Sequence, residues 1–290
     1  MDIELLNKIK RLTVSALVAD DLLMGILVFK GGNALNLAYD ISNRGSIDID
    51  FSMEKDFTES EKNRIKNQAS NLLNTEFSKA GLVVFDVKFY EKPQHIHQDV
   101  ESFWGGYCIE FKIISVEKYN EFSSDEEKIR RSAIPTAGNN STVFQVEISK
   151  YEYVAQKQAK DIEGATVYVY SPEMLALEKL RALCQQVKQY KEVVKSITPK
   201  SRASDFFDIY NLTQHFIIDF RSKENIELAK LIFDAKHVPL NYISQIQNSK
   251  ELHRLSWETV QNTVSQTEKL MDFEFYFDFV LKTFKHLSEN

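Results

Sequence analysis

The chain has 290 residues, 43% hydrophobic and 12% aromatic, enough to bury one large core or two smaller ones. Its 36 Lys and Arg stand against 42 Asp and Glu, a net charge of −6, which excludes a surface built uniformly to grip nucleic acid but not a local basic groove. No run of about 18 apolar residues offers a membrane span, the opening MDIELLNKIK is charged where a secretory leader is apolar, and the two distant cysteines, Cys108 and Cys184, suit reduced packing positions; a cytoplasmic protein without disulfide or zinc framework is expected.

Apolar positions at helical spacing, Ile3, Leu6, Ile9, Leu12 and Ala16, predict an amphipathic first helix leading into a short strand at residues 26–29. Gly31-Gly32 breaks that strand, Asn33 can cap the next helix, and ALNLAY reads as that short helix, ending near Asp40. After the polar loop SNRGS, IDIDF alternates like a half-buried strand with one acidic face. T-E-S-E opens a charged helix over residues 58–80 with a capping box. GLVVFDVKFY, GGYCIEFKIIS and TVFQVEIS read as further strands. Beyond Ser171-Pro172 the texture turns helical: EMLALEKLRALCQQVKQYKEVVK reads as one helix, SITPKSRAS as a connector, and the remainder shows helix-length apolar patterns without a convincing strand.

Two features carry chemistry. In a strand, residues i and i+2 face one side, so Asp48 and Asp50 project together while Ile47, Ile49 and Phe51 point inward. Two like charges on one face repel unless a counter-charge or metal lies near, and a pair of Mg²⁺ ions about 3.5–4 Å apart would supply it. The Gly31-Gly32 turn ahead of a helix leaves backbone N–H groups open to phosphate, since no Cβ blocks the approach. Either feature alone is also found in ordinary turns and exposed strands. Together they describe a triphosphate seat facing a metal-binding strand.

Lys30-Gly31-Gly32-Asn33-Ala34-Leu35 and Arg44-Gly45-Ser46-Ile47-Asp48-Ile49-Asp50-Phe51 resemble the first motif of the AbiEii/AbiGii-type nucleotidyltransferases of the DNA polymerase β superfamily, with Asn33 in place of Thr and Gly45 in place of Phe. The resemblance implies an α+β fold: a polymerase β-like nucleotidyltransferase domain with a mixed sheet (residues 1–170), followed by a helical bundle domain (171–290). It also implies a third carboxylate on a neighbouring strand. Glu147 in FQVEIS fits that context better than Glu110 in YCIEFK, although both also suit solvent-facing strand positions.

SPEMLALEKLRAL resembles the family's phosphate-contacting helix, whose Lys matches Lys179; periodicity alone does not separate Lys179 from Arg181, which flank the apolar stripe on opposite sides. SRASDFFDIYNL resembles the next motif, which brings Asp205 and Asp208 to one helix face, with Ser204 where the family has a basic residue. Asp208 sits among apolar neighbours and calls for a partner such as Lys179 or Arg202.

The expected function is a Mg²⁺-dependent transfer of a nucleoside monophosphate from an NTP to an acceptor, with Asp48, Asp50 and Glu147 as metal ligands, Gly31, Gly32 and Ser46 seating phosphates, Lys179 neutralising charge on the leaving pyrophosphate, and Asn33, Asp205 and Asp208 completing the nucleotide site. From the resemblance alone come a toxin-like role, a cognate antitoxin and tRNA as an acceptor. A small-molecule-modifying transferase and a catalytically silent nucleotide- or partner-binding module stay open as alternatives. The stretch Lys188, Lys191, Lys195, Lys200 and Arg202 suits an acceptor RNA or a solvated helix face. Phe103, Trp104 and Tyr107 suit base stacking or a core.

Overall fold

The computed structural model describes residues 3–41, 48–122, 124–136, 141–264 and 270–289. The N-terminal elements are α1 (Ile3–Val18), α2 (Asp21–Ile26), β1 (Val28–Lys30), α3 (Gly31–Leu37), β2 (Ile49–Ser52) and α4 (Glu59–Ser78). Next come β3 (Leu82–Lys92), β4 (Gly106–Ser115), α5 (Val116–Glu121), α6 (Glu126–Arg131), β5 (Phe144–Ser149), β6 (Gln158–Ile162) and β7 (Ala165–Val169). From residue 171 onward the described residues form helices only: α7 (Pro172–Cys184), α8 (Ala203–His215), α9 (Lys223–Asp234), α10 (Lys250–Arg254), α11 (Trp257–Thr263) and α12 (Phe273–Phe284), with 3-10 turns between and after them. No described helix is long and apolar enough to cross a membrane.

The fold is α+β, and its sheet has seven strands in the order β3-β4-β5-β2-β1-β7-β6. It is mixed: β1 pairs antiparallel with β2 but parallel with β7, and β2 pairs parallel with β5. That parallel pairing aligns Asp50 with Glu147, and the neighbouring antiparallel pairing aligns Glu147 with Cys108. Alternation explains the faces. In β2, Ile49 and Phe51 are buried while Asp50 is half-buried, and in β5 Phe144, Val146 and Ile148 are buried while Glu147 stays partly open.

Helices α1 and α4 pack on each other, α1 against β7 and α4 against β3. Leu6, Ile9 and Ala16 supply the buried stripe of α1, as the spacing predicts. The Thr58 capping box is formed: the Thr58 hydroxyl accepts the Glu61 N–H and the Glu61 carboxylate accepts the Thr58 N–H. On the C-terminal side, α7 packs against α8 and α9, and α8 against α12. The apolar core is continuous between sheet and helices, running from Phe29 and Phe51 through Leu177 and Leu180 to Phe206 and Phe277.

Three local readings change. Asn33 does not cap α3: that helix begins at Gly31 with Lys30 as its cap residue, and Asn33 lies within the first turn. The first strand starts at Val28, because Ile26 ends α2, which is capped by Asp20. The single helix expected over residues 173–195 stops at Cys184. There the Gln186 amide donates to the Ala182 carbonyl (2.9 Å) and accepts the Lys200 N–H (2.8 Å), while Gln185 donates to the Tyr190 hydroxyl (3.2 Å). Side-chain amides thus take up backbone groups that a continuing helix would use, and the chain re-enters as a 3-10 turn over Lys188–Glu192.

His253, wholly buried on α10, accepts the Arg202 N–H through Nδ1 (3.3 Å) and meets the Phe206 ring edge-on. Burial pushes its pKa down to about 4, with Asp205 opposing and Arg202 assisting. Between pH 6.5 and 4 the unfolded chain therefore binds a proton that the folded chain refuses, so stability falls as pH falls through that window. Urea unfolding at pH 7 and pH 5 should show a loss about 1–2 kcal/mol smaller for His253→Asn than for the unaltered chain.

Candidate active site

A cavity of about 610 Å³ opens between the ends of β1, β2 and β5 on one side and α7 with the start of α8 on the other. Gly31, Gly32, Asp48, Asp50, Glu147, Lys179 and Asp205 line it, so seven of the ten site residues expected from sequence come to one place. Asn33 and Asp208 do not line it, and Ser46 lies outside the described residues.

The glycine turn and the acidic strand are in direct contact. Lys30 is aligned with Asp50 across the β1–β2 pair, which brings Gly31 against the Asp50 carboxylate. Gly31 has φ +74°, and a Cβ there would collide with Asp50 Oδ2. Glycine is required twice over, for the left-handed backbone and for the space. The first-turn N–H groups of α3 have no side-chain cap and no intrahelical acceptor, so they remain as donors. Asn33 serves this arrangement from behind: fully buried, it donates through Nδ2 to the Asp48 carbonyl at 2.5 Å, tying α3 to the strand entry.

The carboxylates repel one another. Burial, opposed by Lys30 and reinforced by Glu147, Asp48 and Glu178, pushes Asp50 up to about 7. Asp48 is also raised, by burial and then by Glu147. Glu147 accepts Lys92 Nζ at 2.5 Å in a half-exposed ion pair. Glu110, the other candidate for third carboxylate, is bound instead to the Tyr90 hydroxyl (2.7 Å) and the Gln145 amide (2.8 Å) and does not line the cavity.

Among the described residues, no three His, Cys, Asp or Glu side chains converge tightly enough to enclose an ion. The donor chemistry nevertheless fits Mg²⁺, which keeps several waters and takes substrate phosphates beside one or two carboxylates. Asp48, Asp50 and Glu147 are hard oxygen donors on one cavity wall, and a cation there would relieve the repulsion that raises Asp50.

Opposite the carboxylates, Lys179 is buried and its ammonium contacts Asp205 (3.1 Å) and Asp208 (2.8 Å). Asp208 is completely buried behind it, which accounts for its absence from the cavity wall. Asp205 also binds Arg202; burial would raise its pKa, but Arg202 and then Lys179 hold it down at about 2. Of the basic stretch, Lys200 and Arg202 reach the cavity, whereas Lys188, Lys191 and Lys195 do not.

The cavity floor is an ion network that sequence reading missed. Glu152 takes a two-pronged contact from Arg181 (2.6 and 3.1 Å) and lies 3.6 Å from Lys30 and 3.7 Å from Lys236. Lys30 also binds Glu178 at 3.2 Å. Burial alone would raise Glu152, yet Arg181, Lys236 and Lys30 bring it well below the usual carboxylate range. Burial lowers Lys236 to about 8. The Glu178–Arg181 spacing within the buried helix α7 was a readable signal for half of this network. Glu152 and Lys236 sit between elements and carry no local pattern.

The family model described as "Nucleotidyl transferase AbiEii toxin, Type IV TA system" matches residues 15–279. No curated protein matches the chain. Among solved structures, a candidate nucleotidyltransferase from H. pylori is similar at 17% identity and a TM-score of 0.45, covering 98% of this chain and 93% of that one. An antigenic nucleotidyltransferase-like protein from Paracoccidioides brasiliensis is similar at 16% identity and a TM-score of 0.37, covering 84% of this chain and 92% of that one. Both likenesses are too remote to carry any conclusion about this chain.

Replacing Lys179 by Met leaves the Asp205 and Asp208 carboxylates buried beside a neutral side chain. Breaking a buried pair in this way costs about 3–5 kcal/mol, so Lys179→Met should lower the urea midpoint markedly. A loss below about 1 kcal/mol would show that Lys179 is not a structural partner of these aspartates.

Proposed function

Since the chain belongs to the AbiEii nucleotidyl transferase toxin family, we propose that its cavity binds an NTP with Mg²⁺ and transfers the nucleoside monophosphate to an acceptor, with release of pyrophosphate. The observation that carries this reading is the register that sets Asp50 beside Glu147 while Gly31 packs on the Asp50 carboxylate. It joins a phosphate seat to a carboxylate group on one wall. In this reading residues 1–170 act as a polymerase β-like transferase domain, and the helices of 171–290 close the cleft from the other side.

Asp48, Asp50 and Glu147 would hold the metal, which when bound offsets charge on the phosphates and favours ionisation of the attacking hydroxyl. The open N–H groups at Gly31 and Gly32 seat phosphate oxygens. Lys179, Lys200 and Arg202 line the same cavity, and their charge opposes the negative charge that grows on the leaving pyrophosphate. The salt bridges to Asp205 and Asp208 hold Lys179 in place, so it is preorganised and needs no reorientation when charge develops. Asn33 and Asp208 act here as positioning residues, the one on Asp48 and the other on Lys179. A protein antitoxin as partner is inferred from the family type, and tRNA is the acceptor class we favour.

The test incubates purified protein with each labelled NTP, Mg²⁺ and bulk tRNA. Label should enter the RNA from at least one NTP, and Asp50→Ala should reduce it by about 10³-fold or more. No labelling with any NTP, together with cellular toxicity unchanged by Asp48→Ala and Asp50→Ala, would overturn the proposal.

A further inference from the structure

Of the three aromatic residues at 103–107, Phe103 and Tyr107 are buried in the core, and only Trp104 reaches the cavity. It is the sole aromatic side chain among the described residues of the cavity wall. Trp104 immediately precedes Gly105 and the start of β4, where Gly106 pairs with Ser149, two residues beyond Glu147. The strand rise puts Trp104 on the order of 10 Å from Glu147 along the sheet, comparable to the reach of a nucleotide from phosphate to base.

The Trp104 position is built. The Trp104 N–H is bound to the Val100 carbonyl at 2.9 Å, and Lys236 Nζ donates to the Phe103 carbonyl at 3.0 Å and the Lys150 carbonyl at 2.5 Å. The indole packs on Tyr190, with ring centroids 6.3 Å apart. Gln185 from the end of α7 touches the same Tyr190, donating Nε2 to its hydroxyl. Tyr190 therefore gathers Trp104 and Gln185 at one end of the cavity, with Ala182, one turn back on α7, beside them on the wall. This end holds a half-buried aromatic face, a methyl group and an amide oxygen, Gln185 Oε1, that makes no hydrogen bond among the described residues. Elsewhere the wall is dominated by charged groups.

We propose that Trp104 and Gln185 form the nucleobase subsite of the NTP, Trp104 stacking on the base and Gln185 Oε1 accepting an N–H from its edge. The inference rests on the NTP-transfer reading of the same cavity. Stacking on a π-face is tolerant of base identity, whereas an acceptor oxygen discriminates among edges, so affinity and selectivity are divided between the two side chains. Lys236 is a positioning residue, acting through the Phe103 carbonyl.

The experiment measures dissociation constants by calorimetry, with Mg²⁺ present, for each NTP and for inorganic tripolyphosphate, which has phosphates but no base. Trp104→Ala should weaken the preferred NTP by roughly ten- to a hundredfold and leave tripolyphosphate unchanged, with Trp104→Phe recovering most of the loss. Gln185→Met should alter the ratio of affinities among the four NTPs without affecting tripolyphosphate. Equal loss for NTP and tripolyphosphate in Trp104→Ala would mark Trp104 as wall structure and overturn the subsite, as would unchanged NTP affinity. If Trp104→Ala raises the KM for the acceptor RNA but not for the NTP, the transfer reading stands and the base subsite belongs elsewhere. A wild-type chain that binds neither ligand overturns both readings.

Discussion

A charge buried inside a protein must be compensated by its neighbours, and here one carboxylate organises the compensation. Glu152 is nearly inaccessible, and Arg181, Lys30 and Lys236 converge on it from α7, the end of β1 and the segment after α9. Glu152 is the carboxylate common to all three cations, and Glu178 adds a second one shared by Lys30 and Arg181. Because Lys30 is both a member of this network and the residue that leads into the Gly31 turn, one side chain links the helical half to that turn. The result is a cavity whose floor is tied together by ion pairs, with the glycine turn and the acidic strand on its wall.

The same coupling explains why the carboxylates can sit where they do. Asp50 is half-buried next to Glu147 and near Asp48 and Glu178, an arrangement that in isolation would release its proton only at unusually high pH. Lys30 is the positive charge that opposes this rise most. The parallel β2–β5 register sets Asp50 beside Glu147, and the proposed cation and phosphates would complete this balance.

The parts of this site that were legible in the sequence are those whose chemistry is local. A glycine pair, an Asp-x-Asp alternation and a Pro-initiated helix with a lysine carry their meaning within a dozen residues, and Gly31, Asp48 and Asp50 all line the cavity; Lys179, which periodicity does not separate from Arg181, is picked out only by resemblance to the family's helix and lines it too. Glu147 could be preferred over Glu110 only by context; the strand register decides their surroundings, and register is a property of pairing between distant segments. Asn33 misleads because an Asn after a glycine pair looks like a cap, whereas the helix starts two residues earlier and its amide turns to the Asp48 carbonyl. Glu152 and Lys236 were invisible because neither belongs to a periodic segment, and each acquires its role only through residues far away in the chain. The helix break after Cys184 was hidden for a different reason: Gln185 and Gln186 are good helix formers, but their side-chain amides bond the Tyr190 hydroxyl, the Ala182 carbonyl and the Lys200 N–H instead.

The span of the chain that contributes to one cavity has a consequence for synthesis. Glu147 is joined 116 residues after Gly31, and Lys236 another 89 residues after that. The β2–β5 pairing cannot form before residue 149 is available, and the floor cannot close before residue 236. A truncated or nascent chain can hold every residue of the glycine and aspartate motifs and still lack the site. The cavity therefore closes only after its most C-terminal contributor has been joined, and a chain interrupted before residue 236 lacks its floor.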